Sequence, residues 1–172
     1  MLVLRILRRG DEAMFRVAVE EFLKESPSWP FAFGLDQSES FADYVRKLEE
    51  WTRGVGLPPN WVPGTFLVGV VGDVIVGRLS LRHRLNDFLR RIGGHIGYGV
   101  IPGHRRRGYA TEMLRQSLPV CKGLGIQRAL VTCDVDNIAS RKVIENCRGV
   151  FEGITNEPAL DVQKRRYWIS TV

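Results

Sequence analysis

Residues 94–133 constrain the fold more than any other part of this sequence. Residues 94–100 have the short apolar character of a strand, a proline stops it at position 102, and apolar residues then recur at helical spacing from 108 to about 124. Residues 126–133 form another apolar run of strand length. This order predicts a right-handed βαβ unit with two parallel strands. A ligand of such a unit is expected beyond the carboxyl ends of its strands, where the loop 101–108 lies.

The rest of the chain supplies elements that surround this unit. The patterns predict a strand over 2–7, a helix from Asp11, as its cap, to about Lys24, and a helix over 38–51. The segment 26–30, which contains two prolines, is expected to end the first of these helices, and Pro119 to kink the later helix or separate its last turn. A hairpin over 66–81, a short helix over 137–147, and strands over 150–154 and 167–171 complete the pattern.

The predicted element order is therefore βααβββαβαββ. Hairpins connect the early strands and helices connect the later ones, which predicts a mixed sheet, antiparallel at first and parallel across the helix from 108. We expect an α/β fold (α+β in the finer division), with a central mixed β-sheet flanked by helices. The length of 172 residues predicts a single domain over residues 1–172.

Composition excludes several classes of protein. With 44% hydrophobic and 26% charged residues, the chain is neither disordered nor fibrous. Its three cysteines form no CxxC pair, which argues against a disulfide framework or a zinc site and fits a reducing cytoplasm. No signal peptide opens the sequence, and the longest apolar run is too short for a membrane span, so a cytoplasmic protein is expected.

Three consecutive arginines stand between the predicted strand and helix: Arg105, Arg106 and Arg107. A helix N-terminus offers unpaired N–H groups and a partial positive charge, and Gly108 and Ala110 allow its backbone to approach a ligand closely. The net charge of +6 likewise favours an anionic partner. The stretch therefore predicts a pyrophosphate site, although neither GxxxxGK[ST] nor GxGxxG is present. The alternative interpretation is a merely solvated basic run.

The same residues resemble the signature of the GCN5-related N-acetyltransferase (GNAT) family. Its pattern V-x-P-x-x-[RQ]-x-x-G-x-[GA] is met in register by Val100, Pro102, Arg105, Gly108 and Ala110. Asn137 and Ser140 resemble the family's N-x-x-[AS] start of the following helix. The predicted element order resembles the family fold over nearly the whole chain.

This resemblance implies acetyl-CoA as the co-substrate. Its pyrophosphate would lie on the amides from Arg106 to Thr111, its pantetheine arm would extend the strand edge at residues 98–100, and Asn137 would bond that arm. Arg106 stands where many members have glycine, which matters little because the contact is through the backbone. The implied cofactor-binding residues are Tyr98, Gly99, Val100, Arg105, Arg106, Arg107, Gly108, Tyr109, Ala110, Thr111, Asn137 and Ser140.

The resemblance also implies direct attack of a primary amine, on a small molecule or a peptide, on the thioester in a ternary complex. The backbone N–H of Val100 would polarise the carbonyl, and His95 is the candidate general base. His95, flanked by glycines, also fits a packed histidine bonded to backbone. The tyrosine that often serves as general acid in the family is replaced here by Ile144. Another group then protonates the thiolate, or CoA leaves as a thiolate.

The resemblance implies that acceptor specificity lies in the region of the first two predicted helices and in the loops 54–64 and 82–94. The long loop 54–64 is expected either to form an acceptor pocket with Trp51, Trp61 and Phe66 or to leave these residues closing the core. Trp61, His83 and Asn86 are the candidate acceptor-binding residues, and the alternatives are core closure for Trp61 and plain loop positions for the other two. No nucleic-acid or membrane partner is expected, because the basic clusters are dispersed, and a homodimer would be common in the family. An acyl-CoA-binding protein without catalytic activity and, less favoured, a basic nucleic-acid-binding module remain as competing functions.

Overall fold

The computed structural model describes residues 1–25, 31–36 and 38–172. It confirms the predicted order βααβββαβαββ, and the predicted helix end at 26–30 lies outside the described residues. The elements are β1 (Leu2–Ile6), α1 (Glu12–Glu25), α2 (Phe41–Thr52), β2 (Gly64–Val71), β3 (Val74–Arg82), β4 (Ile96–Val100), α3 (Tyr109–Gly123), β5 (Arg128–Asp134), α4 (Ile138–Asn146), β6 (Val150–Glu157) and β7 (Val162–Ser170).

The strands form a seven-stranded sheet in the order β1-β2-β3-β4-β5-β7-β6. Neighbouring strands are antiparallel except β4 and β5, which are parallel, so the predicted mixed sheet is confirmed. The helix α3 makes the crossover between the two parallel strands. Because the β6–β7 hairpin places its second strand against β5, β6 ends at the edge of the sheet.

The parallel strands β4 and β5 separate soon after they meet. They share one register position, Ile96 opposite Val131. On its other side β4 stays paired with β3 as far as Val100. At the end of that ladder the N–H of Ile101 donates to the Val76 carbonyl at 2.9 Å, and alternate residues of β4 face β3 in the same way. The N–H groups of Tyr98 and Val100 therefore point toward the opening between β4 and β5.

Two apolar clusters cover the two faces of the sheet. One cluster joins α3 and α4 to the sheet, and the other joins α1 and α2 to it. Met113 of α3 is fully buried, and a Cβ atom on Gly69 or Gly77 would lie 2.6 or 2.8 Å from its side chain. These two glycines thus let α3 approach the sheet closely. The helix continues past Pro119 to Gly123, so the proline does not separate its last turn.

The start of α1 differs from the prediction. Asp11 does not cap α1 but closes a single 3₁₀ turn, Arg9–Asp11, that precedes it. Its carboxylate accepts two hydrogen bonds from the Arg5 guanidinium, at 2.6 and 2.8 Å, and one from the backbone N–H of Arg8 at 2.8 Å. Arg5 on β1 therefore binds the carboxylate that the sequence pattern predicts to be the cap of α1. No helix within the described ranges is both long and apolar enough to cross a bilayer.

Candidate active site

The loop before α3 presents a row of backbone N–H groups. Arg106 and Gly108 have positive φ angles of 61° and 79°, which turns successive amides to one side. The first helical bond runs from the Glu112 N–H to the Gly108 carbonyl at 3.0 Å. Among the described residues, the N–H groups of residues 106–111 find no acceptor. Space in front of Gly108 is open, since a Cβ there would meet nothing within 4 Å. Such a row of free amides binds anions.

The three arginines of this loop have different roles. The Nε of Arg105 donates to the Val100 carbonyl at 3.2 Å, and its Nη1 donates to the Glu25 carboxylate at 2.9 Å. Arg105 therefore ties the loop to the end of β4 and to α1. Arg106 and Arg107 are exposed and form no ion pair with any described residue, so they supply free positive charge around the amides.

Three of the predicted cofactor-binding residues meet near the opening between β4 and β5. The hydroxyl of Tyr98 lies 2.8 Å from the Ser140 hydroxyl, across from β4 to α4, and burial raises the pKa of the phenol. The carboxamide oxygen of Asn137 caps α4 by accepting from the Ser140 N–H at 2.9 Å. The NH₂ group of Asn137 makes no hydrogen bond to the described chain, so it is available to a ligand.

His95 is a buried histidine bonded to backbone. Its ring Nδ1 accepts a hydrogen bond from the Leu130 N–H at 2.9 Å, and the backbone N–H of His95 donates to the Leu130 carbonyl at 2.7 Å. Burial, with the positive charges of Arg90 and Arg82, lowers the pKa of His95 to about 4. The neutral ring thus uses its lone pair to hold β4 against β5. This arrangement favours the packed interpretation of His95 over the base.

A cavity of about 400 Å³ lies between α2 and the strands β2 and β3. The predicted loops 54–64 and 82–94 both contribute to its wall. Most of the lining is apolar, and its aromatic members are Phe33, Trp51, Trp61, Phe66 and Phe88. Trp51 and Trp61 pack together with their rings 5.2 Å apart. The cavity is large enough for a small-molecule acceptor.

The three candidate acceptor residues have different positions relative to this cavity. Trp61 lines it and is 44% exposed. Asn86 also lines it, but its side chain donates to the Asn60 carbonyl at 2.8 Å and accepts from the Leu89 N–H at 2.9 Å, which holds a π-helical turn, Leu89–Gly93. His83 does not line the cavity. Its Nε2 lies 2.8 Å from the hydroxyl of Thr65, and Thr65 does line the cavity.

Two arginines on β3 escaped the sequence analysis. Arg78 is fully buried, with its guanidinium 4.5 Å from the centre of the Phe33 ring, and burial lowers its pKa to about 9. Arg82 lines the cavity, and burial lowers its pKa to about 10. The signal was the alternation of Arg78, Ser80 and Arg82 in an apolar strand, which places three polar side chains on one face.

Comparisons with known proteins agree with this architecture. A search of curated proteins gave no significant sequence match. Among solved structures, RimJ of Mycobacterium smegmatis with CoA-disulfide superposes with a TM-score of 0.68 at 21% identity, over 98% of this chain and 81% of the other. Spermidine N-acetyltransferase of Vibrio cholerae with CoA and spermine gives 0.62 at 20%, over 99% and 95%. The microcin C7 self-immunity acetyltransferase MccE with acetyl-CoA and AMP gives 0.68 at 16%, over 98% and 92%.

At these low identities, the superpositions show the shared fold alone. The family itself is shown by the sequence: the model of the acetyltransferase (GNAT) domain matches residues 1–150. That match includes both strands of the βαβ unit, the loop with its free amides and the lining of the cavity. The chain therefore belongs to the GNAT acetyltransferase family.

Proposed function

We propose that this protein is an N-acetyltransferase that transfers the acetyl group of acetyl-CoA to a primary amine. The observation that carries the proposal is the row of free N–H groups over residues 106–111 beside the opening between β4 and β5. Three of the superposed structures hold CoA, a CoA disulfide or acetyl-CoA. Acetyl-CoA would supply an acetyl group activated as a thioester.

The residues present fit such a ligand. The amides of residues 106–111 would hold the pyrophosphate, with the exposed Arg106 and Arg107 adding charge around it. The N–H groups of Tyr98 and Val100 would pair with the amide groups of the pantetheine arm and the thioester carbonyl. The free NH₂ group of Asn137 would donate to the arm from the opposite side. Arg105 acts here through the loop that it positions.

The acceptor amine would approach from the cavity. Attack requires a neutral amine, and none of the described residues lining the cavity is a carboxylate that would stabilise an ammonium. The positive charge of Arg82 also disfavours an ammonium nearby. The amine would therefore lose its proton to solvent through the cavity mouth, without a base on the protein. With a fully buried Ile144 at the family's tyrosine position, CoA would leave as a thiolate.

Acetyl-CoA binding, measured by calorimetry on the parent chain and on matched variants, tests the proposal. Gly108→Glu places a carboxylate and a strained φ angle among the free amides, so acetyl-CoA affinity should fall at least about tenfold. Gly103→Glu adds the same charge to the same loop at a position with open space, and should change affinity less than about threefold. Gly108→Asn, which tolerates a positive φ, should bind almost as well as the parent chain.

Release of free thiol with a panel of amines then separates the enzyme from its alternative. Thiol release that depends on an amine supports acetyl transfer. If acetyl-CoA binds but releases no thiol with any amine of the panel, the protein is instead an acyl-CoA-binding protein without catalytic activity. If neither acetyl-CoA nor CoA binds, the proposed function is wrong.

A further inference from the structure

We infer that the acceptor is a free amino acid with a large apolar side chain, whose carboxylate binds Arg82 in the cavity. The inference rests on the proposed function, because it names the substrate class of the same site. It begins from a positive charge inside an apolar cavity for which the protein provides no counter-ion.

Arg82 is mostly buried and lines the cavity. Its guanidinium makes one hydrogen bond, from Nη1 to the Gly93 carbonyl at 3.3 Å, which leaves the other N–H donors unused. None of the ion pairs formed by the described residues includes Arg82. The remaining residues, 26–30 and 37, contain no aspartate or glutamate. A buried guanidinium is costly unless an anion pairs with it, so a ligand is the expected source of that anion.

The guanidinium lies next to the point where transfer is proposed to occur. A Cβ on Gly97 would stand 3.1 Å from Nη1 of Arg82 and 3.3 Å from the Ser80 hydroxyl. Gly97 directly follows Ile96, the residue at which β4 and β5 are last paired. Arg82 therefore binds its anion close to the opening that would hold the thioester. The amine and the anion of the acceptor must then be near each other, as they are in an α- or β-amino acid.

The rest of the cavity fits the side chain of such a molecule. Trp51, Trp61, Phe66 and Phe88 supply aromatic surface, and Leu57 supplies aliphatic surface. The volume of about 400 Å³ accommodates a side chain as large as an indole together with its backbone atoms. A polyamine is disfavoured, because its second cation would meet Arg82 and no carboxylate among the described lining residues.

Matched amines that differ only at the carboxylate test the inference. Phenylalanine, phenylalaninamide and phenethylamine share an aromatic body and a primary amine, and leucine and tryptophan offer equivalent sets. The carboxylate form should show kcat/KM at least about tenfold above its amide and its decarboxylated amine. Arg82→Gln should abolish this preference, whereas Arg82→Lys should retain part of it. Arg84→Gln, an exposed arginine two residues along, serves as the control and should leave the preference unchanged.

A binding measurement makes the result independent of turnover. N-acetylphenylalanine and N-acetylphenylalaninamide are titrated into the protein. The change in tryptophan fluorescence, to which Trp51 and Trp61 in the cavity wall contribute, reports occupancy of the cavity. Tighter binding of the carboxylate, lost in Arg82→Gln, supports the inference. Equal binding and equal kcat/KM of acid and amide in all three sets would overturn it.

The failure of the inference and the failure of the proposed function give different results. If acetyl-CoA releases its thiol as fast with phenethylamine as with phenylalanine, acetyl transfer stands and the proposed role of Arg82 is wrong. If acetyl-CoA does not bind at all, acetyl transfer is wrong, and the acid–amide pair still decides whether Arg82 binds a carboxylate. Should Arg82→Gln fail to fold, Arg82→Lys and the ligand pairs in the parent chain decide the question.

Discussion

Protonation of His95 should destabilise the folded protein. The residue is 8% exposed, its Nδ1 accepts a hydrogen bond from the Leu130 N–H, and two arginines lie nearby. A proton on Nδ1 would break the bond to Leu130 and would place a positive charge in a buried site beside Arg90 and Arg82. Acidification is therefore a specific perturbation of the joint between β4 and β5.

The pKa of His95 fixes the sign and the size of this effect. It lies at about 4 in the folded protein against 6.5 in an unfolded chain. The unfolded chain takes up the proton first. His95 therefore leaves the free energy of unfolding unchanged above pH 6.5, lowers it as the pH drops toward 4, and causes no further decrease below pH 4. At about 1.4 kcal/mol per pKa unit the loss is at most about 3 kcal/mol, and partial access of solvent to the ring reduces it.

Urea denaturation of the parent chain and of His95→Gln, from pH 8 to pH 4, measures the effect. Glutamine offers an oxygen to the Leu130 N–H and does not titrate in this range. The difference in free energy of unfolding between the two proteins should change by about 2 kcal/mol between pH 7 and pH 4. Curves that stay parallel over the whole range would refute the structural role argued for His95.

The pH dependence of turnover separates this role from catalysis. A general base at His95 would produce an acidic limb in the kcat/KM profile that disappears in the glutamine variant. We expect the limb to follow the acceptor amine instead, and to remain in His95→Gln at the same pH. Loss of the limb in that variant would restore His95 as the base.

Three further substitutions test the packing, each by urea denaturation. Gly94 has φ of 64° and a Cβ there would lie 2.7 Å from the Leu130 carbonyl, so Gly94→Ala should cost at least about 2 kcal/mol. Met113→Ala should cost about 2–5 kcal/mol through the cavity it leaves, and an unchanged midpoint would contradict the close packing of α3. Asp11→Ala removes the acceptor of three hydrogen bonds and should cost about 2 kcal/mol, against less than about 0.5 kcal/mol for Glu20→Ala in an exposed ion pair.

The elements and the loop with its free amides could be predicted because both depend on local sequence. The positive φ at Gly108 is a property that glycine permits, and the free amides follow from any helix N-terminus that lacks a side-chain cap. Hairpin and crossover connections then leave few sheet topologies open. For this part of the molecule, residue types and their spacing already contain the structural information.

The roles of individual charged side chains could not be predicted, because distant partners determine them. Arg105 belongs to the motif, yet its guanidinium pairs with Glu25, which is 80 positions away. Asp11 has the spacing of a helix cap, yet Arg5 binds its carboxylate. His95 depends on Leu130, 35 positions away. A carboxylate, guanidinium or imidazole has several possible partners, and only the folded arrangement selects one.

Arg82 shows how the two kinds of information combine. An arginine in a strand can turn outward or can extend along the sheet, and its sequence position decides only the face. The face follows from the alternation of residues 78, 80 and 82 in β3. The buried position follows from Gly97, which has no side chain where the guanidinium lies. Neither residue alone predicts a cationic site in the cavity. Gly97 lies opposite Ser80, so Arg82 extends diagonally toward it, and a strand arginine next to the partner of a glycine on the neighbouring strand can be sought wherever the register is known.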